Sequence, residues 1–256
     1  MEFLRPSRRR SVISEIIYIL LNIAVAVLIF VTVLAVESPL PAFALVLLSK
    51  WRVLAVRPQY WWTNIVSNMV DVIVGLSFVV LLYAASGAQV TQIALTVLYI
   101  AWLLVLKPRS ARALVVLQAG IGLFVGVSAL EQISYSWWSS TVVVVMWAIG
   151  YFTARHALTA YKEPHYSLLS LIWGLVMAEL GWITFHWSFA YNLHVTGGLM
   201  LSQAALFAFL LSFLAERVYA SYHKNHQLIK LGDIVLPLLL TLSTIGLLLF
   251  ANSTTQ

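Results

Sequence analysis

From Ile16 to Val36 the chain carries no charged side chain, and comparable apolar runs recur to its end. A helix needs about 20 mostly apolar residues to cross a hydrocarbon core of about 30 Å. Nine such runs are read, at approximately 15–36, 39–56, 61–84, 90–106, 112–130, 138–158, 166–187, 199–218 and 232–251. The second is interrupted by Lys50 and Arg52. Turn chemistry separates the runs at Glu37-Ser38-Pro39, Arg57-Pro58, Ser86-Gly87, Lys107-Pro108, Glu163-Pro164 and Gly197-Gly198. Only 9% of residues are charged and 62% are apolar. A soluble domain carries about a quarter charged residues, so most of this surface must meet lipid. The first run exceeds the about 7–15 residues of a signal-peptide core, with no small-x-small cleavage site after it, and is expected to remain as a helix. The expected fold is all-α, a polytopic membrane helix bundle of about nine transmembrane helices in one domain. Residues 1–14 form a basic cytoplasmic segment, 15–251 the bundle and 252–256 an outside tail.

The basic residues report topology. Arg5, Arg8, Arg9 and Arg10 precede the first run, and Lys50, Arg52 and Arg57 lie between the second and third. Lys107, Arg109 and Arg112 separate the fourth and fifth, Arg155 and Lys162 the sixth and seventh, and Arg217, Lys224 and Lys230 the eighth and ninth. All 15 Lys and Arg residues therefore fall on alternate connections. The positive-inside rule makes that side cytoplasmic, with the N-terminus inside and the C-terminus outside. Trp61, Trp62, Tyr161, Tyr166, Tyr219 and Tyr222 fall near the inner interface, and Trp137, Trp138, Trp187 and Tyr191 near the outer one. Both levels suit rings that are apolar at one end and polar at the other. The net charge of +6 is thus a topology signal matched to anionic lipid, and no nucleic-acid partner is expected.

Each ionisable group inside a span costs about 2.5–3.5 kcal/mol at mid-helix on insertion scales. Asp71 and Glu179 are the two that qualify. Asn64, Asn68 and Asp71 follow at i, i+4 and i+7 on one face, continued by Gly75, and the first run offers Glu15, Tyr18 and Asn22 at a similar depth. Lys50 is placed to pair with Asp71. Glu179, Trp182 and His186 share a face of the seventh run, although about 10 Å along the axis separates Glu179 from His186. Asp233 and Glu216 lie near the inner interface, and Pro237 interrupts the hydrogen-bond ladder of the ninth run. The close-approach patterns Gly122-x-x-x-Gly126, Gly150-x-x-x-Ala154 and Gly174-x-x-x-Ala178 read as internal helix packing. Lys50-x-Arg52 and Lys107-x-Arg109 end two runs alike, without a wider repeat around them.

Several chemistries lack their residues. There is no cysteine, no deep lysine in the last run for a retinal Schiff base, no His-Glu-x-x-His and no Gly-x-Ser-x-Gly. Phe152-Thr-Ala-Arg-His156 matches one fragment of the CAAX-type intramembrane protease pattern, but the paired-glutamate motif is missing. His223-Lys-Asn-His226 reads as a solvated turn, and neither metal nor cofactor is expected. The stretch KWR at 50–52 followed by RPQYWW at 57–62 resembles multi-spanning bacterial inner-membrane proteins, a resemblance that implies a bacterial cytoplasmic membrane and no particular activity. The function expected from the residues is a transporter or channel-like permease for an ion or small solute. Its polar path would comprise Asn22, Asn64, Asn68, Asp71, Glu179 and His186. The alternatives are a non-catalytic membrane subunit or scaffold, and an enzyme acting on lipid-linked substrates with Arg109, Arg112 and Arg155 on the headgroups.

Overall fold

Helices account for most of the chain, in the order the hydropathy pattern dictates. The computed structural model describes residues 12–187, 190–192, 199–225 and 228–253. The basic N-terminal segment through residue 11, His226 and the last three residues lie outside the described residues. The helices are α1 (Val12–Ala35), α2 (Leu40–Ser49), α3 (Trp61–Ser67), α4 (Met69–Ala84) and α5 (Gln89–Ala101, continued as a π-turn over Trp102–Leu106). They continue with α6 (Arg112–Ile133), α7 (Ser139–Ala160), α8 (Tyr166–His186), α9 (Gln203–Lys224) and α10 (Leu231–Ser253). Among the described residues seven helices are long and apolar enough to cross a membrane, and the α3–α4 pair makes an eighth if its 58° bend is one broken span.

Two of the expected spans differ from continuous crossing helices. The run 39–56 is helical only from Leu40 to Ser49, about 15 Å of rise, and so covers half of a hydrocarbon core. It stops where Lys50 turns its amide back to Leu47 and a 3₁₀ turn, Trp51–Val53, follows. The run 61–84 breaks at Asn68, whose φ and ψ of −102° and 3° lie outside the helical region. A smaller difference appears near residue 199. There a two-stranded antiparallel hairpin, β1 (Ala190–Asn192) with β2 (Met200–Ser202), precedes α9. Helix α9 starts only at Gln203, where the Ser202 hydroxyl caps it by accepting from the Ala205 amide.

Side-chain bonds tie the two ends of the bundle separately. At one end the Tyr83 hydroxyl lies 2.9 and 2.8 Å from the carbonyl oxygens of Val36 and Ser38, and Gln132 donates to the Met200 carbonyl. At the other, basic end Gln118 donates to the carbonyls of Leu106 and Arg109, and Tyr161 to Glu216. The core divides in two. Ile29, Val46, Val74, Leu82, Tyr99 and Leu103 join α1, α2, α4 and α5. Leu123, Val127, Met146, Met177 and Ala208 join α6 to α9. Among the described residues helix α10 packs mainly on α9, and it runs unbroken through Pro237.

The small-residue patterns pack inside the chain. A β-carbon at Gly122 would lie 2.9 Å from Val70 Cγ1, and one at Gly150 would lie 2.5 and 2.6 Å from Met177 Cγ and Cβ. Helices α7 and α8 therefore meet nearly backbone to backbone. Gly150→Val should destabilise the protein by about 1–3 kcal/mol, because a stem that close to Met177 cannot be absorbed by rotating the far end of a side chain. Thermal unfolding in detergent checks this. Gly246→Val, with nothing within 4 Å, should leave the midpoint where it was.

Candidate functional site

The break at Asn68 places Asp71 in the first turn of α4, where the helix N-terminus favours a negative charge. Tyr83, at the end of the bundle away from the basic residues, follows Asp71 by twelve positions, about 18 Å along the axis, so the carboxylate is deep. It is 7% exposed. Lys50 Nζ lies 2.5 Å from Oδ2, Lys107 Nζ lies 2.7 Å from the same oxygen, and Trp102 Nε1 donates to Oδ1 at 3.1 Å. The two lysines thus meet one carboxylate, and the cluster carries a net positive charge. Lys107 retains 31% side-chain exposure, against 9% for Asp71.

The π-turn explains how α5 supplies two of these groups. Residues five apart on an α-helix point about 140° away from each other. Closing the turn from the Lys107 amide to the Trp102 carbonyl brings both side chains round to the same face. Gln118 of α6 satisfies the Leu106 and Arg109 carbonyls left by this end, and itself meets His156 Nε2 at 2.9 Å. One turn above Asp71, Gly75 admits the buried Tyr99 ring. A β-carbon at Gly75 would lie 2.7 Å from Val46 Cγ1 and 3.2 Å from the Tyr99 hydroxyl.

The remaining sequence-predicted residues do not gather here. Asn64 donates to the Val53 carbonyl and Asn68 to that of Asn64, so both amides fasten the bend instead of extending a path to Asp71. Asn22 donates back to Tyr18 in its own helix. Glu179, Trp182 and His186 do share one face of α8, but it is the exposed face, turned away from the bundle. His186 Nδ1 lies 2.8 Å from the Trp182 carbonyl and its ring sits 4.7 Å from the Trp182 ring, tilted by 44°, without a bond to Glu179. A single polar path through Asp71 and Glu179 is therefore not formed. Among the described residues no group of three or more His, Cys, Asp or Glu could hold a metal.

A second feature has no counterpart in the sequence reading. Helices α6, α7, α8 and α9 line a half-open chamber of about 740 Å³ that reaches from Leu123 to Tyr161 and Arg217 at the basic end. Its walls are mostly apolar, with Leu123 and Gly120 of α6, Ala157 of α7, Trp173 of α8 and Phe209 of α9, interrupted by the hydroxyls of Thr153 and Ser212. Polar groups stand where the chamber ends: Tyr161 donates to Glu216 at 2.7 Å, and Arg217 lies 3.2 Å from the same carboxylate. Burial and the Glu216 contact push the Tyr161 hydroxyl up to about 12, so it stays a donor at neutral pH. Arg112 sits over the Tyr161 ring at 5.1 Å and Arg155 over Tyr166 at 4.8 Å, while Arg109 is exposed nearby in sequence. A groove of about 490 Å³ runs along the outside of α8 and α9, and Trp173, Ala215 and Tyr219 border both spaces.

Tyr219 is held by its donation to Glu163 in the α7–α8 loop, which keeps the Glu163 carboxyl below its usual range. A lowered value means that this bond stabilises above the unfolded carboxyl range and is lost as pH falls through the folded one. Tyr219→Phe should accordingly cost about 1 kcal/mol at neutral pH and nothing in strong acid. Unfolding midpoints of both proteins across pH 3–7 read this out.

Helix spacing and buried charge thus have a structural account, whereas a chamber between four helices emerges only from tertiary packing. No family model, curated protein or solved structure matches the chain.

Proposed function

We propose that this multi-pass membrane protein binds an amphiphile in the α6–α9 chamber, with an apolar chain between the helices and an anionic headgroup at the basic end. The chamber carries the reading. Its volume lies within the about 300–1,000 Å³ of small-molecule sites, and apolar walls ending in a few placed polar groups are what such sites use for affinity and orientation. Arg217 borders the space and Arg112 stands over its Tyr161, while Arg155 lies over Tyr166 at the same basic end. The Asp71 cluster, by contrast, is saturated by two lysines and a tryptophan, which favours a structural role over ion permeation.

Binding is tested on delipidated protein by native mass spectrometry with phosphatidylglycerol and phosphatidylcholine. The anionic lipid should be retained preferentially, and Arg112→Gln with Arg217→Gln should weaken it by about fivefold for each charge removed. Equal retention of both lipids, unchanged in the variants, would count against a headgroup site.

The orientation belongs to the same proposal, with the basic end in the cytoplasm. The chain lacks cysteine, so single substitutions report sidedness directly. Exposed Ser86 and Ser136, replaced by cysteine, should react with an impermeant thiol reagent in intact cells, and Ser110 and Thr159 should not. Ser136 is the better outer position than Ser134, which is buried. Labelling at Ser110 in sealed cells would reverse the assignment.

A further inference from the structure

The chamber and the outside groove meet along the seam between α8 and α9. Trp173, Ala215 and Tyr219 have the chamber on one side and the groove on the other. The wall is therefore one side chain thick, and at Ala215, one turn before Tyr219 on the same face of α9, that side chain is a methyl group. Close approaches at glycine join α7 to α8, at Gly174 with Trp147, and α6 to α9, at Gly120 with Phe209. Among the described residues no glycine contact, hydrogen bond, ion pair or ring contact joins α8 directly to α9. The α7–α8 pair is tied to α9 at the basic end instead. Tyr161, capping α7, donates to Glu216 of α9 at 2.7 Å, and Tyr219 of α9 donates to Glu163 of the α7–α8 loop. Each side supplies one hydroxyl and one carboxylate, so the two bonds are reciprocal and charge-assisted. The tyrosine rings meet edge to face 5.0 Å apart, with the His223 ring 5.6 and 5.9 Å from them.

We propose that the chamber's ligand is a lipid taken sideways from the leaflet at the basic end, entering between α8 and α9, with the two Tyr–Glu bonds as the latch of this entry. The inference rests on the chamber reading and adds the source of the ligand and its route. The groove supplies the first half of that route, since Val176 and Tyr222, each 37% exposed, line it together with Leu214. An acyl chain lying there moves into the chamber without leaving apolar surface. One arriving from water would first have to leave its micelle or membrane and then pass Glu216 and Arg217. Arg217 is half exposed, so the headgroup can follow at the interface while the chain slides inward. Opening needs only the basic ends of α8 and α9 to part, because at the other end the chain runs from α8 through the β1–β2 hairpin into α9. Both latch bonds lie across the line that parts.

Exchange of bound lipid reads the route, and retention reads the site. Protein loaded with phosphatidylglycerol is mixed with an excess of deuterated phosphatidylglycerol in micelles, and native mass spectrometry follows replacement over time. Glu163 borders neither space, so Glu163→Ala loosens the latch without touching the ligand. It should speed exchange by about fivefold, the factor carried by one hydrogen bond of ordinary net strength, and leave equilibrium retention as in the parent. Entry and exit share one barrier, so both quicken alike. Glu163→Gln keeps an acceptor for Tyr219 and should exchange within about twofold of the parent rate. Val176→Cys with Leu214→Cys places one thiol on each side of the groove in a chain that has no other. A short bis-methanethiosulfonate bridge between them should slow exchange by more than about tenfold, with recovery on reduction. Exchange that the bridge leaves untouched, or Glu163→Ala exchanging at the parent rate, would overturn the lateral route while retention upheld the chamber. A parent protein that retains no phosphatidylglycerol would overturn both.

Discussion

Asp71→Leu should lower stability by about 3–5 kcal/mol, the largest effect expected of any single substitution in this chain. The carboxylate is the shared partner of Lys50 and Lys107, and its loss leaves a Lys50 side chain only 9% exposed with no counter-charge. Lys50→Met should cost less, since Lys107 and the Trp102 indole still satisfy the carboxylate. Removing Asp71 and Lys50 together should recover much of the loss, because Lys107 is already part-exposed and can turn its ammonium outward. Thermal unfolding in detergent of the two single variants and the double variant measures the coupling. Simple additivity would mean that the ion pair contributes nothing as a pair.

Filling the chamber should separate binding from folding. Ala157→Trp projects a large ring from α7 into space bordered by Leu123, Trp173 and Phe209. Anionic lipid retention should fall by more than about tenfold, since the chain would lose the apolar walls that hold it. Stability should hold or rise, because the ring occupies open volume and displaces no packed neighbour. Destabilisation together with full retention would place the lipid elsewhere on the surface.

The apolar runs made the helices legible, because a residue facing lipid or core must be apolar whatever its partners are. Helix ends were legible where proline, glycine or a capping hydroxyl set them. The run at 39–56 was not, since hydropathy averages over a lysine that ends the helix by turning to a carboxylate 21 residues away. Lys50 with Asp71 was accessible from depth alone. The part of Lys107 and Trp102 depends on a π-turn, which no periodicity announces. The repeated Lys-x-Arg at 50–52 and 107–109 was the available signal: both lysines converge on one aspartate. Glu179 shows the converse limit. Spacing placed it on one face with Trp182 and His186, but which way that face points is decided by Gly150, Gly174 and Met177, where α7 and α8 close on each other. The chamber was illegible for the same reason, since its walls of Ala, Leu and Phe are the commonest residues of any membrane helix.

The most direct measurement of the central claim is photo-cross-linking with a phosphatidylglycerol that carries a diazirine at the end of one acyl chain, followed by peptide mapping. An amphiphile seated as proposed should leave its adducts deep in the chamber, on the α6 segment around Gly120 and Leu123 and on α9 around Phe209, and Ala157→Trp should abolish them. Adducts confined to outward-facing residues such as Val97 on α5 and Leu239 on α10, unchanged by Ala157→Trp, would contradict it.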